Sequence, residues 1–404
     1  MKKIILKMNC MLLMMLMLFS TLFISVSAAT WDPSLANSIF KQAKIDNLQA
    51  KSFVIMDFGT GLILQGKEED TQFPLASMTK IMTLILIMDA LESGTITLDT
   101  EITTSKNAQT LSEGATRVYI VKNEKFTVSS GLKAIAITSA NDVAIAFSEH
   151  IGGTEAAFVG KMNEKAASIG LKNTNFLDCT GLTDIGHYST SKDVAIMSKY
   201  LIEKHPEILE YTKIVYDTFS HGEGKADTMM SATDRLLKFY PGTDGLKTGH
   251  TEAAGYCQSA TIEIEGRRII AVVFGEPSDE VRAGELKMLM QYGLTEFEKT
   301  VIATKDTFVK DIDIKKGSEK RIKTSIASTL ETIVRKDSDK NVTKELSWNE
   351  NITAPIKKGD KVGQIVYKLD DKEIGKVDIV ADQDMGKANW FVLFLRMILS
   401  WIGL

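Results

Sequence analysis

The chain has 404 residues, 44% apolar and 25% charged, with 48 Lys and Arg against 52 Asp and Glu for a formal net charge of −4. That is enough chain for two folded domains and a substantial core, and it is neither a disordered nor a collagen-like composition. The balanced charge with no large basic block argues against a nucleic-acid partner, and the spacing of Cys10, Cys179 and Cys257 forms neither a metal motif nor a disulfide framework.

Residues 1–29 read as a secretory signal: Lys2, Lys3 and Lys7, an apolar stretch over 11–24, then the small residues Ser25-Val26-Ser27-Ala28-Ala29. Export is therefore expected. Runs at 53–57 and 62–65 flank Phe58-Gly59-Thr60-Gly61, a hairpin signature. Phe73-Pro74-Leu75-Ala76-Ser77-Met78-Thr79-Lys80 then leads into Ile81, Leu84, Ile85, Met88 and Leu91, apolar at helical spacing and ended by Gly94. The helix is apolar on most sides, which predicts burial. Residues 98–120 are polar and interrupted, as expected for short strands and loops at a rim.

Helical periodicity returns at 128–138 and 142–151. Between them lies Ser139-Ala140-Asn141, a short break that places a hydroxyl and a carboxamide on an exposed corner. The plain structural reading is a helix end followed by an Asx N-cap. Residues 156–169 look helical and stop at Gly170; 173–191 form a loop-rich stretch holding Cys179, Gly181, Gly186 and His187; 193–204 is a helix. Lys247-Thr248-Gly249 starts a strand, 255–264 and 267–274 are strands joined by Glu265-Gly266, and 280–297 is an amphipathic helix. Strands open and close this region around a helical block, which makes an α+β fold with an antiparallel sheet. From 306 to 382 alternating patterns predict a small all-β domain with strands at 322–326, 331–335, 362–367 and 374–379. The stretch 390–404 is very apolar, with Asn389, Arg396, Ser400 and Gly403 on one stripe. At about 1.5 Å per residue it spans roughly 22 Å, short of a bilayer core of about 30 Å. It fits an interfacial helix with Trp390 and Trp401 as anchors.

Ser77 and Lys80 share one face of a helix start. A serine hydroxyl needs a neighbouring base, and a lysine serves only when burial or a second cation lowers its pKa. With Ser139-x-Asn141 and Lys247-Thr248-Gly249 following in order, the three motifs form the set found in class A β-lactamases and penicillin-binding proteins. Residues 73–83, Asp244 to Thr251, His187-Tyr188-Ser189-Thr190 and Gly255-Tyr256-Cys257 make the chain resemble the low-molecular-mass penicillin-binding proteins that are D-alanyl-D-alanine carboxypeptidases.

The resemblance covers about residues 45–300 and, more loosely, the rest; Ala140 stands where that family often has glycine. It implies a catalytic domain over 30–303 of β-lactamase/transpeptidase-like fold, an all-β domain over 304–384 and an anchoring amphipathic helix over 385–404. It implies Ser77 as nucleophile, Lys80 as general base and Ser139 as proton relay. Asn141, Lys247, Thr248 and Gly249 would bind substrate, with Lys247 also lowering the Lys80 pKa. Gly249 would leave room for substrate along the strand edge. Backbone N–H groups of Ser77 and His250 would form the oxyanion hole. The substrate would be a peptidoglycan stem ending in D-Ala-D-Ala, β-lactams would be covalent inhibitors, and no metal or other cofactor is called for. Residues 386–404 would hold the exported enzyme on the outer face of the bacterial cytoplasmic membrane.

Three rivals share these features in part. A β-lactamase would need a glutamate in the 173–191 loop, and there is none. A non-enzymatic wall-binding module would be expected to lack Ser77, Lys80 or Lys247. A peptidoglycan endopeptidase carries the same motifs.

Overall fold

The computed structural model describes residues 45, 47–110, 115–183, 185–336, 342–369 and 371–401. The expected signal segment and Gly403 lie outside them.

A five-stranded antiparallel sheet in the order β2-β1-β9-β8-β7 organises the larger region. Its strands are β1 (Ser52–Asp57), β2 (Ile63–Lys67), β7 (Thr243–Thr251), β8 (Gly255–Ile264) and β9 (Arg267–Glu276). β1 is buried at every residue and β9 at almost every one, so both sheet faces are covered. The cover comes from helices α1 (Lys80–Glu92), α2 (Val128–Thr138), α3 (Asn141–Gly152), α4 (Glu155–Ser168), α5 (Ser191–Lys204) and α6 (Asp279–Thr295), of which α5 and α6 lie directly on β1, β8 and β9. Small hairpins, β3 (Glu101–Thr103) with β4 (Lys125–Thr127) and β5 (Tyr216–Phe219) with β6 (Thr228–Ser231), sit at the rim. α1 buries residues from Lys80 through Met88 without a break, as an all-round apolar helix must.

The C-terminal region is all-β. β11 (Phe308–Asp313), β12 (Arg321–Ile326), β16 (Lys372–Ala381), β15 (Lys361–Leu369) and β14 (Val342–Trp348) form one sheet in that order. β10 (Phe297–Ala303) pairs with β13 (Leu330–Arg335) beside it. Ile322, Val362, Ile365, Val377 and Ile379 fill its core. A last helix, α7 (Trp390–Trp401), starts with Asn389 Oδ1 accepting from Val392 N at 2.9 Å. Arg396 donates to the carbonyls of Gly317 at 2.7 Å and Ser318 at 2.9 Å, fixing the helix to the β region. Trp390, Phe391, Phe394, Leu395, Met397 and Ile398 stand exposed along it. Among the described residues no helix is long and apolar enough to cross a membrane.

Four expectations change. The Ser139–Asn141 corner is buried, not exposed: α3 packs against both α1 and α2, leaving Ser139 at 5% and Asn141 at 2% exposure. Asn141 is the first residue of α3 rather than its cap; Ala140 is the cap and supplies no side-chain bond. Lys247-Thr248-Gly249 lies in the middle of β7, not at its start, and Phe297 opens β10 instead of ending α6.

Candidate active site

The chain enters α1 through one 3-10 turn, Ala76–Thr79. Ala76 is left-handed, with φ +47°, a conformation that costs an L-residue about 1 kcal/mol or more. The turn leaves Ser77 half-buried and puts Lys80 wholly inside. Lys80 Nζ reaches Ser77 Oγ at 3.0 Å, Asn141 Oδ1 at 2.6 Å and the Thr180 carbonyl at 2.8 Å. Burial pushes the Lys80 amine down to about 8, against the pull of Cys179, Asp178 and Asp142. The shift therefore comes first from desolvation. Burial and then the Lys80 charge drive Lys247 well below the usual lysine range, and the repulsion between the two amines is mutual.

Asn141 is held at both ends. Its Oδ1 takes the Lys80 bond, and its Nδ2 donates to the Thr116 carbonyl at 2.9 Å. Next to it, Asp142 accepts from the backbone N–H groups of Val118, Tyr119 and Ile120 at 3.3 Å or less, pinning the 116–120 segment over α3. Burial raises the Asp142 carboxyl although those bonds pull it down. Ser139, in left-handed conformation at φ +63°, closes α2 and has its buried hydroxyl without a hydrogen-bond partner.

The far wall is β7, an edge strand of the sheet. Every second peptide group of an edge strand is open to a chain laid alongside. Lys247 Nζ donates to the Thr248 carbonyl at 3.0 Å, and Thr248 Oγ1 meets Thr233 Oγ1 at 2.6 Å. Gly249 is needed for packing. A Cβ there would come within 2.9 Å of the Leu75 carbonyl and 2.8 Å of Cys257 Sγ, so glycine is what lets β7 press against the 3-10 turn. His250 is exposed and lies on the Tyr256 ring, centroids 4.1 Å apart.

Two groups escaped the sequence reading. Arg282 of α6 is buried at 3% exposure beneath this wall, its guanidinium over the Tyr256 ring at 5.9 Å and its charge felt by Lys247 and Asp234. No local pattern marks it, because α6 carries it to the site from 35 residues downstream of Lys247. Asp178 organises the loop that gives Thr180 to Lys80: its carboxylate accepts from Thr180 N, Gly181 N and Thr183 N at 2.9 Å or less. Burial opposes its ionisation, but the Thr183 bond and the backbone bonds from Gly181 and Thr180 hold it at about 2. Cys179 and Cys257 are both free and buried.

Ser77, Lys80 and Asn141 thus meet directly, Lys247 couples to them by charge, and Thr248 and Gly249 line the facing strand. A family model described as D-alanyl-D-alanine carboxypeptidase matches residues 39–278, and one described as penicillin-binding protein 5, C-terminal domain, matches 297–387. The chain is 37% identical over 386 residues to the D-alanyl-D-alanine carboxypeptidase DacF of Bacillus subtilis, covering 95% of this chain and 98% of that one. Its structure is similar to penicillin binding protein 5 of Haemophilus influenzae, with a TM-score of 0.73 and 29% identity over 84% of this chain and 98% of the other. It also resembles ampicillin-bound penicillin-binding protein D2 of Listeria monocytogenes, with a TM-score of 0.55 and 30% identity over 62% of this chain and 98% of that one.

Proposed function

The chain belongs to the D-alanyl-D-alanine carboxypeptidase family and is a serine-type peptidoglycan carboxypeptidase of the penicillin-binding group; on that footing we propose how its own residues carry the reaction. Ser77 attacks the carbonyl between the two terminal D-alanines. Lys80, with a pKa of about 8, is neutral in roughly one molecule in ten at pH 7. The neutral amine keeps its bonds to Asn141 Oδ1 and Thr180 O and accepts the Ser77 proton on its lone pair. The N–H groups of Ser77 and His250 take the developing oxyanion, at about 3 kcal/mol each by analogy with measured cases. Ser139, whose hydroxyl is unpartnered in the resting site, carries the proton on to the departing D-alanine. Asn141 and the β7 edge hold the peptide, and Lys247 and Thr248 receive its terminal carboxylate. Water then releases the shortened stem from Ser77.

The single observation that carries this reading is the 3.0 Å contact between Ser77 Oγ and a buried lysine amine with a lowered pKa. β-Lactams acylate Ser77 by the same attack, which the ampicillin-bound relative supports. We further propose that residues 386–404 lie in the outer face of the cytoplasmic membrane, supported by the apolar side chains that α7 exposes.

Intact-protein mass spectrometry tests the chemistry, using benzylpenicillin and, separately, a peptide ending in D-Ala-D-Ala. A penicilloyl adduct on the wild type, absent from Ser77→Ala, together with released D-alanine, is the expected result. An adduct cleared in milliseconds with no D-alanine points to a β-lactamase. No adduct and no release from folded protein points to a binding module.

A further inference from the structure

The loop 173–191 gives Lys80 a carbonyl, but it also reaches the other side of the nucleophile. His187 is fully buried, its ring edge-on to Phe176 at 5.7 Å between centroids. Its Nε2 lies 2.7 Å from Thr79 Oγ1, and Thr79 Oγ1 lies 2.9 Å from the Ala76 carbonyl. A hydroxyl has one proton. Thr79 gives that proton to Ala76, since a carbonyl can only accept, so toward His187 the threonine oxygen must accept and Nε2 must carry hydrogen. On the far side of the ring Leu177 N–H donates to Nδ1 at 3.1 Å, so Nδ1 must be bare. One form satisfies both bonds: the neutral imidazole with its proton on Nε2.

The run of bonds is therefore one-directional, from Leu177 N–H through His187 and Thr79 to the carbonyl of Ala76. Ala76 is the left-handed residue that precedes Ser77. A strained residue persists only where its surroundings over-determine it. Gly181, three residues after Asp178 in the same loop, presses on the same carbonyl: a Cβ at 181 would stand 1.8 Å from Ala76 O. The Asp178 carboxylate, 3.8 Å from Nδ1, is taken up by its own loop bonds to Thr180, Gly181 and Thr183.

We propose that His187 is a positioning residue for Ser77, holding through Thr79 the Ala76 peptide whose orientation aims Ser77 Oγ at Lys80 Nζ. The loop then serves the base from Thr180 and the nucleophile from His187. Bonds in series polarise one another, so removing the ring weakens the Thr79 to Ala76 bond as well as its own. This inference rests on Ser77 being the nucleophile.

The test measures benzylpenicillin acylation against concentration, which separates the maximal acylation rate from the half-saturating concentration, for four variants and one pair. Misaiming a nucleophile by a fraction of an ångström lowers rate, not affinity, so His187→Leu and Thr79→Val should each lose about 10- to 100-fold in maximal acylation rate with half-saturation changed less than about twofold. Thr79→Ser, which keeps the hydroxyl, and His187→Gln, which keeps a donor near the Nε2 position, should stay within about fivefold of wild type. The double variant Thr79→Val/His187→Leu should be no slower than the worse single one, because the two act in series. A folded His187→Leu acylated at the wild-type rate overturns the proposal, and so does a double variant whose loss is the product of the two. Imidazole nitrogen NMR on the wild type needs no variant to fold: the Nε2–H tautomer is expected, and the Nδ1–H tautomer overturns the proposal. Failure of the underlying reading is distinct, since the wild type itself would then show no adduct on Ser77.

Discussion

The two regions of this molecule treat charge in opposite ways. The larger one buries it: Lys80, Lys247, Asp142, Asp234, Glu276, Arg282 and Glu285 all lie inside. In the β region, among the described residues, the only buried polar side chains outside the apolar core are Thr324, Ser325 and Thr332. Its ion pairs, such as Arg321 with Asp313 and Lys368 with Glu345, are on the surface, where each contributes little. Burying an amine or carboxylate costs several kcal/mol unless partners replace the lost water. The larger region bears that cost where a lysine has to act as a base. The β region has no such need, and its departure from ordinary burial is of the opposite kind, with apolar side chains exposed along α7.

Replacing the buried amine is the sharpest way to break this contrast. Lys80→Met should lower Ser77 acylation by about 1,000-fold or more, since it removes the base outright. Its stability should move by no more than about 2 kcal/mol, because relief of a buried amine offsets the donors lost to Asn141 and Thr180. Denaturant melts alongside acylation rates check this; a variant that stayed active would take the purpose from the buried charge. At the other end of the chain, removing residues 386–404 should cut binding to anionic lipid vesicles by about 100-fold while leaving penicillin acylation in solution unchanged. Vesicle co-sedimentation decides, and unchanged sedimentation would mean that the exposed face of α7 does not serve a membrane. The smallest effect is in pH. With Lys80 at about 8, the base is protonated below that value and free above it, so acylation should rise about tenfold from pH 7 to pH 9 and then level. A flat profile over that window would mean that burial does not tune this amine.

The sequence was most legible where apolar spacing is strong. The expected range 128–138 is the range of α2, and the 265–266 turn joins β8 to β9 as its Glu-Gly pair requires. β11 and β14 left no pattern because almost all their side chains face water, so neither strand alternates. The pairing of Ser77 with Lys80 could be read from a spacing of three, but the burial of Ser139 and Asn141 could not. It depends on how α3 packs on α1 and α2, and three short residues look the same at an exposed corner as at an inward one. His187 stood in a motif, yet its bond to Thr79 joins positions 108 residues apart. Arg282 had no motif at all.

The two described cysteines bear on how the chain reaches this fold. Both Cys179 and Cys257 are unpaired, and burial drives the Cys179 thiol well above its usual range and that of Cys257 to about 12. At pH 7 the Cys257 thiol is thiolate in roughly one molecule in 100,000, and burial disfavours the Cys179 thiolate too, so oxidants and mixed disulfides find little nucleophile once the core has closed. Folding of the described region is thereby uncoupled from redox chemistry. It needs no thiol oxidant or disulfide isomerase, and a reducing agent that dismantles many secreted proteins leaves it no cross-link to cut.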